Sequence, residues 1–171
     1  MTILDILKYP NETLKQVSEP VESFNDELRK VLADLEETMR AGPGGVGIAA
    51  PQVGKFQRIA IVDVSAKPRS GKREVKHNGC MILINPEIKT WDGMKVGREG
   101  CMSVPDYTGN VIRATKITLQ ASNAQGELID YECEDYEARA VQHELDHLDG
   151  LLFLDRLVSR RTDLFKRKIY K

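Results

Sequence analysis

The chain has 171 residues, three cysteines and a formal net charge of −1, which fits one domain, residues 1–171, around a single core. Balanced charge gives no global footprint for DNA, and no apolar run approaches the roughly 20 residues needed to cross a bilayer. An odd cysteine count without regular spacing points to a reducing compartment and to thiol or metal chemistry rather than a disulfide framework. The opening MTILDILKYP lacks a basic start, a long apolar stretch and a cleavage site, so it does not read as a secretory signal and the expected location is the cytoplasm.

In chain order, residues 3–9 form a short apolar segment ending at Pro10, with Asn11 opening a turn or brief helix. Residues 25–40 carry Leu28, Val31, Leu32, Leu35 and Met39 at helical spacing behind a capping Asn25, and predict a surface helix packed on a sheet. Residues 42–52 are glycine-rich. They lack the Lys-Ser/Thr pair of a phosphate loop, and the spacing suits either a tight turn or the wall of a cleft for an extended substrate, with Gln52 offering an amide donor.

Residues 58–64 alternate as a strand, residues 66–79 read as an exposed polar loop, and residues 81–84 give another strand before Asn85-Pro86. Further strands are expected at 95–99, 110–113, 116–121 and 128–133, with 123–126 as a hairpin connection. The fold class is therefore α+β, mostly antiparallel sheet around a central helix, with an N-terminal helix and a C-terminal helix. The C-terminal helix is expected over residues 155–171, where Arg156, Arg160, Arg161, Lys166, Arg167, Lys168 and Lys171 make a basic face.

The central helix carries the chemistry. His143 and His147 are four apart, so both rings lie on one helix face within reach of one metal ion. A carboxylate beside them, Glu144, suits the general base of metal-assisted hydrolysis. Ala138, Val141, Leu145 and Leu148 form an apolar stripe on the other side, Asp135 is the expected N-cap, and Gly150 the stop. Two histidines leave a third ligand to be found, since catalytic zinc-type sites use three. Cys101 in Glu99-Gly100-Cys101-Met102-Ser103 is the preferred candidate, with Cys80 and Cys133 as rivals whose settings look like strand ends or interiors.

Three segments together resemble the peptide deformylase family: GVGIAAPQ at 45–52, EGCMS at 99–103 and QHELDHLDG at 142–150. The likeness extends to ILDILKYP at 3–10, INPEI at 84–88 and Arg113. It implies a hydrolase that removes the formyl group from the N-terminal formylmethionine of nascent polypeptides and releases formate. Carried over, Cys101, His143 and His147 resemble the metal ligands and Glu144 the general base. Gln52 through its amide and Met102 through its backbone N–H would stabilise the oxyanion, while Gly45, Val46 and Gly47 would bind substrate. Glu99 and Arg113 would pair in support of the site. The resemblance also implies one divalent ion, Fe2+ in the cell with Zn2+ or Ni2+ able to take its place in purified protein. The basic C-terminal helix could then touch ribosomal RNA. Two departures, Met102 for the usual leucine and the run Gly42-Pro43-Gly44, leave every ligand in place. The readings weighed against this one are an HExxH endopeptidase, for which no histidine follows His147, and a non-catalytic metal-binding or ribosome-associated module.

Overall fold

Asn25 opens the first helix, its side-chain oxygen accepting the Leu28 N–H at 3.1 Å, and α1 runs Asp26–Ala41. The computed structural model describes residues 2–65 and 76–167. Strands follow at β1 (Gly47–Ala49), β2 (Ile59–Val62), β3 (Met81–Asp92), β4 (Lys95–Cys101), β5 (Val104–Arg113), β6 (Lys116–Ser122) and β7 (Leu128–Glu134), then α2 (Asp135–Leu148) and β8 (Leu164–Lys166). The architecture is α+β, as expected, with every strand pair antiparallel.

Two sheets clasp α2. The larger has the order β1-β2-β3-β6-β7 and the smaller β4-β5-β8. Alternation along the strands of the larger sheet sorts its side chains between two helices. Ile48, Ile59 and Ile61 join Leu28, Leu32, Leu35 and Met39 of α1, whereas Ala49, Ala60 and Val62 join Ala138, Val141, Leu145 and Leu148 of α2. The apolar stripe of α2 thus rests on the larger sheet, and its histidine face turns toward β4 and β5. Eleven of the 14 residues of α2 are buried, which is why this helix can carry a dry polar site.

Four expectations need correction. Asp135 is not the N-cap: its φ is +50°, a left-handed conformation that Asp tolerates, and its N–H donates to Thr115 O at 2.7 Å. Helix α2 instead starts after extended Glu134 without a side-chain cap. The strand at 81–84 does not stop at Asn85-Pro86 but continues to Asp92. A bulge there absorbs the proline, and Asn85, at φ +51°, exchanges two hydrogen bonds with the Val21 backbone.

The short β1, in a stretch expected only as a tight turn or cleft wall, pairs with β2 over three residues. Finally, the expected C-terminal helix is absent from the described residues. A 3-10 turn at Phe153–Arg156 leads to the strand β8, which satisfies backbone groups along the outer edge of β5. Gly109 on that edge leaves room for Leu157, because a Cβ there would lie 2.3 Å from Leu157 Cδ2. Of the loop expected at 66–79, residues 66–75 lie outside the described residues, as do the last four of the tail.

Gly150 ends α2 as expected, at φ +76°. A Cβ on it would stand 2.2 Å from Lys15 O, so the chain can close over the N-terminal 3-10 turn Glu12–Lys15 only with glycine at this position.

Candidate metal centre and active site

Strand β4 and helix α2 bring three ligand atoms together. Cys101, His143 and His147 are all buried, and one donor atom from each lies within 4.8 Å of the other two. Cys101 Sγ is 3.4 Å from His147 Nε2. Two ligands of one tetrahedral zinc-like ion, at about 2.3 Å for sulfur and about 2.05 Å for nitrogen, stand roughly 3.5 Å apart. The cysteine rivals are elsewhere: Cys133 is buried on β7 and Cys80 is exposed.

The rings are held by what lies behind them. His143 Nδ1 is 2.9 Å from Glu99 Oε1, so Nδ1–H donates to the carboxylate and Nε2 is the ring nitrogen left to face the cluster. The two rings meet edge to face with centroids 5.1 Å apart, and His143 also stacks on Phe153. Burial pulls the His143 pKa down, but the Cys101 thiol and the Glu99 carboxylate overcome it and raise the group well above the usual range. Burial and the neighbouring His143 hold His147 well below it, neutral and ready to ligate.

Glu99 is the hub of a buried ion network. Arg113 grips it with two hydrogen bonds of 2.9 Å, and Arg139 adds a third at 2.8 Å. Burial raises the Glu99 pKa, yet the Arg113 and His143 contacts outweigh it and hold the carboxyl far below its ordinary value. Arg113 also donates to Asp146 at 2.6 Å, and Asp146 in turn takes two hydrogen bonds from Arg156. The expected Glu99–Arg113 pair is therefore part of a larger set. Arg139 and Asp146, four before and three after His143, share its helix face, and that spacing was the signal available for finding them.

Glu144 lies deep in the site. Its Oε2 is a buried atom with no hydrogen-bond partner, which fits a carboxylate placed to receive a proton from something bound at the cluster. Burial pushes its pKa up to about 7. A Cβ on Gly47 would sit 2.7 Å from Glu144 Oε1, so the glycine leaves the space the carboxylate fills. Gly47→Ala is expected to push Glu144 aside and lower kcat/KM at least tenfold with little change in bound metal, measured by steady-state kinetics beside metal analysis.

Gln52 is 1% exposed and fixed at both ends of its amide. Its Oε1 accepts the Ala49 N–H at 2.9 Å. Its Nε2 donates to Ser103 Oγ at 3.1 Å and points at Cys101 Sγ at 3.5 Å. Ser103, which the sequence motif contains but to which no role was given, orients this donor. Gly45, Val46, Gly47, Gln52, Cys101, Met102, His143 and Glu144 all line one cleft of about 630 Å3. The cleft also takes in Ile3, Leu4 and Ile6, from an N-terminal segment stitched down by Leu7 N–H to Gln52 O and Tyr9 N–H to Ser103 O, each 2.7 Å.

Residues 3–163 match the Polypeptide deformylase family. The chain is 42% identical over 171 residues to a peptide deformylase of Acidobacterium capsulatum, covering 100% of this chain and 96% of that one. It is 38% identical over 168 residues to that of Thermodesulfovibrio yellowstonii, covering 98% and 97%. Its fold superposes on the crystal structure of the Thermotoga maritima peptide deformylase with a TM-score of 0.83 at 36% identity, covering 93% and 100%. It superposes on the Met-Ala-Ser-bound class I type b peptide deformylase of Acinetobacter baumannii with a TM-score of 0.84 at 34% identity, covering 91% and 99%. With the sequence motifs, the Cys101, His143 and His147 cluster and full-length likeness all agreeing, the chain belongs to the peptide deformylase family.

Proposed function

We propose that Cys101, His143 and His147 hold one divalent ion and that Glu144, Gln52 and the Met102 backbone N–H carry out the deformylation reaction around it. As a member of its family, the chain removes the formyl group from the N-terminal formylmethionine of nascent peptides and releases formate. The observation that carries the residue assignment is a three-ligand cluster beside a buried carboxylate whose Oε2 has no partner.

When bound, the ion supplies Lewis-acid polarisation and makes water a better acid. Glu144 accepts the proton of the attacking water, which a carboxyl raised to about 7 does well near neutral pH. It then returns that proton to the departing amine, so one residue serves both steps. Gln52 Nε2 and the Met102 N–H face the oxygen on which negative charge grows, an arrangement worth about 3–4 kcal/mol per donor in comparable sites. Gly45, Val46 and Gly47 present backbone groups to the peptide. Val46 and Ala140 give the cleft an apolar wall for the methionine side chain. The binding of Met-Ala-Ser by the Acinetobacter baumannii relative supports a peptide lying in this cleft.

A thiolate with two neutral imidazoles suits Fe2+, and the same set accepts Zn2+ or Ni2+; Fe2+ is the proposed ion in the cell. A cytoplasmic location belongs to the same proposal, supported by free thiols and a substrate newly released by translation. No helix among the described residues is long and apolar enough to cross a membrane. The ribosome contact expected of a basic C-terminal helix loses that helix in the described residues and forms no part of the proposal. The test is formate release from formyl-Met-Ala-Ser. Metal-stripped protein should be inactive and recover on anaerobic Fe2+ loading; continued inactivity in fully loaded protein would overturn the assignment.

A further inference from the structure

A formylated peptide has no charge at its reacting end, so any charge preference must come from residues downstream of the methionine. The cleft is lined by three cations, Lys8, Arg98 and Arg167, in addition to Arg139, which Glu99 neutralises. Strand β8 places one of them, Arg167, and supports a second, Arg98 of β4. Arg167 follows it directly, its N–H donating to Asp106 O at 2.8 Å, and its Nη2 reaches to 3.5 Å from Cys101 O. A Cβ on Gly100 would stand 2.7 Å from that same Nη2. The glycine beside Cys101 is thus what lets the guanidinium lie against the β4 backbone. Phe165 of β8 supports the second cation, with Arg98 Cζ 3.8 Å above its ring, while Arg98 Nε donates to Asn110 Oδ1 at 3.1 Å.

Arg98 and Arg167 form no ion pair with any described carboxylate, in contrast to Arg113, Arg139 and Arg156. The carboxylates near the cleft do not cancel them. Glu99 is already shared among Arg113, Arg139 and His143, Glu144 is buried, and Asp106 gives Arg167 only its backbone oxygen. An extended peptide advances about 3.3 Å per residue, which brings the first two or three residues after the methionine within range of a guanidinium whose Nη2 lies 3.5 Å from Cys101 O.

We propose that Arg167, assisted by Arg98, is a specificity-determining residue that favours peptides bearing a carboxylate within the first few residues after the formylmethionine. The inference rests on the deformylase reading and adds a substrate preference to it. Exposed pairs are individually weak and screened by salt, so the effect belongs mainly in KM.

The test uses the full-length, metal-loaded chain with formyl-Met-Ala-Asp-amide and formyl-Met-Ala-Lys-amide, whose amidated ends remove a confounding carboxylate, and formyl-Met-Ala-Ser as reference. At low ionic strength the kcat/KM ratio of the aspartyl to the lysyl peptide should be roughly tenfold, shrinking to about twofold in 0.5 M salt. Arg167→Gln should cut the low-salt ratio at least threefold, while Arg167→Lys, which keeps the charge, should retain most of it. A ratio near one in the wild type, a ratio indifferent to salt, or an unchanged ratio in Arg167→Gln overturns the proposal. Absence of formate even from formyl-Met-Ala-Ser would instead overturn the deformylase reading, and this preference with it.

Discussion

Glu144→Gln should reduce formate release by about 10²–10⁴-fold, the range for loss of a general acid–base group, with the metal still bound. The glutamine keeps the size of the side chain and fills the same space against Gly47, but it cannot take a proton. A second readout separates this chemical role from structural damage. In metal-stripped protein, burial raises the Glu144 carboxyl from 4.5 to about 7, so the folded state binds a proton that the unfolded chain releases.

Stability therefore falls as pH rises between those two values, and above about 7 the full penalty, on the order of 3 kcal/mol, applies. The neutral amide escapes it. Metal-stripped Glu144→Gln should match the wild type at pH 4.5 and exceed it in urea resistance at pH 8. A variant that keeps its turnover would show that Glu144 is not the base, and one no more stable than wild type at pH 8 would show that its carboxylate is not desolvated.

The parts of this molecule legible in advance were those set by short-range periodicity. The 3.6-residue rhythm of Leu28, Leu32, Leu35 and Met39 and of Ala138, Val141, Leu145 and Leu148 reports burial directly, and both helices lie where that rhythm puts them. The spacing of His143 and His147 is likewise a local property. Cys101 could only be ranked above Cys80 and Cys133 by its surroundings, because its place beside the rings depends on β4 folding over α2.

The tail was misread for a related reason. Leu164 and Phe165 among basic residues fit an amphipathic helix locally, but the edge residues Tyr107, Thr108 and Gly109 of β5 draw them into a strand. Those competitors are distant in sequence, and local propensity yields to such tertiary pairing. Asp146, Arg139 and Ser103 were missed because each acts through another side chain rather than at the cluster.

Glu99→Gln should destabilise the protein by about 3–5 kcal/mol, the usual result of breaking a buried ion pair from one side, and weaken metal binding by about 10–100-fold. Two guanidiniums, Arg113 and Arg139, and the His143 ring converge on this carboxylate. Removing its charge leaves Arg113, which is 5% exposed, with Asp146 alone.

The pH dependence follows from the sign of the shift. Glu99 is held below its ordinary value of 4.5, so its stabilisation is present above that pH and disappears as pH falls through the depressed value. The gap between wild type and Glu99→Gln should be full at pH 7 and narrow in strong acid. Combining Glu99→Leu with Arg113→Met removes both charges and should recover much of the stability lost by Glu99→Leu alone, because a matched apolar pair leaves less charge stranded in the interior. It should not recover metal affinity, since His143 Nδ1 still lacks its acceptor. If stability and metal affinity return together, the network acts only as packing and Glu99 does not orient His143.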